Sequence, residues 1–132
     1  MINIVLICFF KTTIRMKKVY YLKSCSTCIR ILKELNLPEE FVLQNIKTEK
    51  ITETQLEQMK MLAGSYEALF GKRSKLYKEM DLKNKALTEK DYKGYILEHY
   101  TFLSRPVIIV DDVIFIGNSK KNIEAVKIAL QG

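Results

Sequence analysis

The sequence is short of the side chains that much enzyme chemistry depends on. It holds one histidine, His99, and three cysteines, Cys8, Cys25 and Cys28. Three is too few, and an odd number, for the disulfide framework of a small secreted domain. A zinc centre built on Cys25 and Cys28 needs two further ligands, and only Cys8 and His99 remain, so no metal is expected. Cys-His-Asp hydrolysis would rest on a single histidine, which reads instead as a residue near a helix C-terminus, where positive charge is favourable. No glycine-rich phosphate loop or dinucleotide fingerprint occurs. The apolar run MINIVLICFF falls far short of the roughly 20 residues that span a bilayer. It also lacks the preceding positive charges and following cleavage site of a signal peptide; Lys11 and Arg15 come after it. Residues 1–15, with Cys8, are therefore expected to be an extension ahead of a start at Met16. One domain is expected over 16–132, cytoplasmic and without a membrane partner.

What is present is ordinary for a soluble globular chain: 132 residues, 48% hydrophobic and 28% charged, enough to bury a core without disulfides. The net charge of +7 favours anionic substrates or acidic partners in principle. The lysines, however, are scattered (Lys17, Lys18, Lys33, Lys47, Lys60, Lys75, Lys90 and Lys120), and no basic-aromatic surface suggests nucleic acid.

Lys17–Leu22 is β-branched and aromatic and predicts a short buried strand. It runs into Lys23-Ser24-Cys25-Ser26-Thr27-Cys28 and then a helix with Ile29, Leu32 and Leu35 on one stripe, stopped by Leu37-Pro38. Phe41–Ile46 predicts a second strand. Thr52 with Gln55 forms a capping box for a helix carrying Leu56, Met59 and Ala63, ended by Gly64. Residues 65–87 read as one or two short helices bearing Tyr66, Leu69, Phe70, Leu76 and Met80. Thr88 with Asp91 caps another, with Tyr92, Tyr95 and Ile96. Pro106–Val110 and Val113–Ile116 form a hairpin around Asp111-Asp112. After Gly117 and Asn118, Ser119 caps a last helix with Ile123, Val126 and Leu130. The order is a βαβ unit, a helical insertion from Thr48 to Phe102, and a ββα unit. The expected fold class is α/β, a four-stranded mixed sheet flanked by helices.

The chemistry sits in the C-x-x-C pair between the first strand and the first helix. At a helix N-terminus, unpaired backbone N–H groups and the helix dipole favour an anion, so Cys25 is expected to be a thiolate nucleophile. Lys23 and Arg30 are candidate supporting charges. Cys28, one turn on, is placed to resolve a mixed disulfide or an oxidised adduct. Ser104-Arg105-Pro106 precedes a hydrophobic strand, where thioredoxin-like folds carry a cis-proline opposite the nucleophile. Arg105 would then aim a planar guanidinium at the Cys25 pocket, a shape suited to an oxyanion.

With VYYLKSCSTCIRILKEL, RSKLYKEMDL, DYKGYILEHYTFL and SRPVIIVDDVIFIGNSKKNIEAV in place, the chain resembles the arsenate reductase/Spx family of glutaredoxin-like proteins with a thioredoxin fold. The mid-chain helical insertion marks that family. The resemblance implies a thiol oxidoreductase in which Cys25 attacks arsenate or a disulfide, and Cys28 resolves. Arg105 and Arg73, with Pro106, Ser26 and Thr27, would shape the substrate site. No bound cofactor is implied; electrons would come from glutathione/glutaredoxin or from thioredoxin. Two features depart from the glutathione-dependent reductases. Their arginine four residues after the nucleophile is Ile29 here, with Arg30 one place later. Their arginine near the last turn is replaced within Gly117-Asn118-Ser119. The Spx branch shares the C-x-x-C and the R-S-K stretch, and implies as the alternative a redox-sensing regulator that binds RNA polymerase.

Overall fold

The computed structural model describes residues 16–131; the 1–15 segment and Cys8 lie outside the described residues. Four strands form one mixed sheet in the order β2-β1-β3-β4. Strand β1 (Lys17–Tyr21) pairs in parallel with β2 (Val42–Asn45), and antiparallel with β3 (Val107–Val110). Strand β4 (Val113–Ile116) closes the expected hairpin with β3, its turn using a left-handed Asp111. The β1–β2 connection is helix α1 (Ser26–Leu35), which ends at a left-handed Asn36 just before Leu37-Pro38. The insertion holds α2 (Glu53–Ala63), α3 (Lys75–Glu79) and α4 (Glu89–Glu98), joined by short 3₁₀ turns; α5 (Lys120–Gln131) ends the fold. No helix among the described residues is long and apolar enough to cross a membrane.

The caps behave as the local sequence dictates. Both Thr52/Gln55 and Thr88/Asp91 close reciprocal capping boxes, Ser119 Oγ accepts the Asn122 N–H, and Gly64 ends α2 in the left-handed region at φ +96°.

Because successive strand residues face opposite sides, each central strand feeds two cores. Tyr20, Val107 and Ile109 join the core under α2, α4 and the insertion; Val19, Ile108 and Val110 join the core under α1 and α5. The stripe on α1 is shifted from expectation. Cys28, Ile31 and Leu35 are buried, while Ile29 and Leu32 are only half-buried. Cys28 behaves as a small hydrophobe, and successive turns of the helix carry the buried face from it to Ile31 and then Leu35. In β2, Val42 and Leu43 are exposed, whereas Gln44 is 1% exposed. Gln44 is sustained there by a reciprocal amide pair with Gln55 at 2.9 and 3.1 Å and by the Glu49 carbonyl.

Candidate active site

The C-terminal end of β1, the N-terminus of α1 and the N-terminal end of β3 meet at one end of the two central strands. Cys25 is the N-cap of α1, with extended backbone (φ −94°, ψ 112°). Its carbonyl already accepts the first helical bond, from the Ile29 N–H at 3.2 Å, and its own N–H donates to the Leu22 carbonyl at 3.0 Å. The cysteine is thus pinned between strand and helix, its thiol over the helix start. No acidic residue occupies the first turn of α1 to oppose a negative sulfur.

Burial is the largest single influence on the Cys25 thiol and pushes its pKa up. Against it act the Cys28 backbone N–H, the Cys28 thiol, the Thr27 backbone N–H and the Arg105 charge, which together hold it below the ordinary thiol value. These amides face the sulfur electrostatically; none closes a full side-chain capping bond. Cys28 is 1% exposed and behaves oppositely. Burial pushes it up to about 11, aided by the Cys25 charge and hydrogen bond, although the Leu22 N–H and Arg105 act downward. Two free thiols one helical turn apart are therefore driven in opposite directions, one toward thiolate and one toward thiol.

The Arg105-Pro106 peptide is cis, as expected for this place in the chain, and the buried Pro106 carbonyl accepts the Gly117 N–H at 2.9 Å. Arg105 is half-buried. Its Nη1 donates to the Thr101 and Leu103 carbonyls at 3.2 and 3.3 Å. Its Nε and Nη2 make no hydrogen bond among the described residues, so part of the planar fork stays available to an oxygen ligand.

The structure brings Cys25, Thr27, Cys28 and Arg105 together, with Pro106 next to Arg105 in the chain. Ser26 opens α1 and is exposed. Arg73 lies exposed just before the Ser74 cap of α3, without a hydrogen bond or ion pair among the described residues. Arg105 acts on both thiols, in line with the sequence expectation; of the other candidate charges, the Lys23 backbone donates to Asn45 and Arg30 pairs with Glu34 at 3.8 Å. Helical geometry explains Arg30, which projects away from the pair into a groove of about 440 Å³ shared with Glu34, Asn118, Lys120 and Lys127. Sequence reasoning missed the Thr101 and Leu103 carbonyls that hold Arg105. Main-chain acceptors carry no residue-type signal. His99 sits at the end of α4 as expected, and its Nδ1 accepts the Thr101 N–H at 3.1 Å. Among the described residues no three His, Cys, Asp or Glu side chains gather to hold a metal.

A four-stranded mixed sheet flanked by helices, with a cysteine pair at the start of the first helix, is a thioredoxin-like fold. The ArsC family matches over residues 20–126, and the chain belongs to that family. Among solved structures, an ArsC-family-related protein from Bacteroides fragilis superposes at TM-score 0.69 with 21% identity, covering 86% of this chain and 98% of that one. Arsenate reductase from Vibrio cholerae superposes at TM-score 0.66 with 16% identity, over 86% and 99%. The Staphylococcus aureus protein SACOL0876 gives TM-score 0.65 and 23% identity, over 83% and 97%. No match is found among curated proteins.

Proposed function

We propose that this protein is a cysteine-dependent reductase of an oxyanion of the arsenate type or of a disulfide. The observation that carries this reading is the opposed tuning of Cys25 and Cys28 beside a guanidinium with unused donors. The Cys25 thiolate attacks arsenic(V), an oxygen leaves as water, and a thiol-arsenate forms. Cys28 then gives up its proton and attacks the Cys25 sulfur. The Cys25 sulfur–arsenic bond breaks, its electron pair leaves with arsenite, and a Cys25–Cys28 disulfide remains. Two thiols have lost two electrons and arsenic has gained them. Thioredoxin or glutathione/glutaredoxin returns the electrons, as is general among such thiol enzymes. Arg105 offers a fixed charge to the dianion and to the charge that develops on it.

The order of events has a physical basis. Part of what holds Cys28 up is the charge of Cys25 and the hydrogen bond to it. Bonding Cys25 to substrate removes both, so the second thiol ionises more readily once the first is occupied. Arsenate-dependent NADPH consumption tests the proposal, coupled separately to thioredoxin and to glutathione/glutaredoxin, for wild type, Cys25→Ser and Cys28→Ser. Turnover that vanishes in Cys25→Ser supports it. No turnover with either donor, together with a reversible Cys25–Cys28 disulfide, supports the redox-regulator alternative.

A further inference from the structure

His99 plays no part in the chemistry above, yet it lies one residue from the turn that holds Arg105. The last turn of α4 gives way at His99 to a 3₁₀ turn, Tyr100–Phe102, and His99 is the N-cap of that turn. Its Nδ1 accepts the Thr101 N–H at 3.1 Å, while its carbonyl accepts the Phe102 N–H at 3.2 Å. The carbonyl of the same Thr101 accepts from Arg105 Nη1 at 3.2 Å, and that of Leu103, which closes the turn, does so at 3.3 Å. Phe102 locks the turn beneath, 1% exposed and stacked on Phe70 with centroids 5.4 Å apart. Arg105 in turn sits just ahead of Pro106 and β3, whose partner β1 leads into Leu22 and the cysteine pair.

We propose that His99 is a positioning residue for Arg105, its Nδ1 fixing the turn whose carbonyls hold the guanidinium beside Cys25. The inference rests on the reading of Arg105 as the cation of the Cys25 site. An N-cap acceptor sets where the first amides of a turn point, and hence where its carbonyls point. A guanidinium tied by one nitrogen to two carbonyls moves with them. The imidazole also stacks on Tyr100, with centroids 4.6 Å apart, so packing and capping have to be separated.

The test is the rate of iodoacetamide alkylation of Cys25 near neutral pH, followed at its peptide by mass spectrometry. His99→Phe keeps a ring against Tyr100 but has no acceptor; His99→Asn keeps an acceptor but loses the ring. His99→Phe is expected to slow alkylation, by no more than Arg105→Gln does, because displacing the guanidinium cannot cost the thiolate more than removing it. His99→Asn is expected to match wild type, since asparagine is among the best N-caps. Continued protection of Cys28 in each variant shows that the domain is folded, and His99→Ala replaces His99→Phe if it is not. Unchanged alkylation in the acceptor-free variants, with slowed alkylation in Arg105→Gln, overturns the positioning role and leaves the site reading standing. Unchanged alkylation in Arg105→Gln overturns both.

Discussion

Cys25 and Cys28 have the same side chain and sit one helical turn apart, so whatever separates their reactivity comes from their surroundings. Cys25 is half-exposed at a helix start, facing amide N–H groups and Arg105; Cys28 is buried in the core. Alkylation measured as a function of pH is expected to show Cys25 reacting with a midpoint below the ordinary thiol value of about 8.5. Cys28 is expected to react only at higher pH than Cys25, because burial holds its thiol up even after Cys25 is capped. Activity should follow the Cys25 midpoint, because the thiolate is the reacting form; it is retained on acidification further than for an ordinary thiol. Cys28→Ala removes one of the groups stabilising the Cys25 thiolate and is expected to raise that midpoint. The cysteine pair, its helix-start position and the proline ahead of β3 are all legible in the sequence, since residue type and local order define them. Arg105 beside Pro106 is legible too; that Lys23 and Arg30 face other partners is not, because that depends on tertiary placement rather than residue type.

At the level of elements, the helices begin and end where local chemistry places them. Thr52, Thr88 and Gly64 could be read directly because capping involves only residues three or four apart. Residues 65–87 could not, because their shape depends on contacts made far along the chain. The Glu89 carboxylate, in the first turn of α4, accepts the Tyr66 and Glu67 N–H groups at 2.7 and 3.0 Å. Phe70 meanwhile packs against Tyr77, Tyr92, Tyr95 and Phe102. Thr88→Ala breaks the box that starts α4 and is expected to lower unfolding free energy by about 1 kcal/mol in urea titration. Gly64→Ala meets no atom within 4 Å but must hold φ +96°, and is expected to destabilise by about 1 kcal/mol through strain alone.

At the level of the whole molecule, one sheet separates two cores, and both reach the cysteine end. Ile31 and Cys28 belong to different cores although they lie on the same helix. Ile31→Ala opens a cavity between α1 and the sheet and is expected to lower stability by about 2–5 kcal/mol in denaturant titration. Stability should also fall at high pH. Tyr20 and Cys28 are both buried, and burial pushes their pKa values to about 12 and about 11. Unfolding releases each to its ordinary value, so the neutral forms favour the folded state below about pH 8.5–10, and that advantage is lost as pH rises toward 11–12. On the proposed reading, residue, element and fold together hold one thiolate and one thiol ready to exchange two electrons. The most direct measurement is a single turnover. Fully reduced protein is mixed with arsenate and no external reductant, arsenite is quantified, and the thiols are mapped by mass spectrometry. The account predicts arsenite in proportion to a newly formed Cys25–Cys28 disulfide, absent in Cys25→Ser. Both thiols remaining free with no arsenite formed would contradict it.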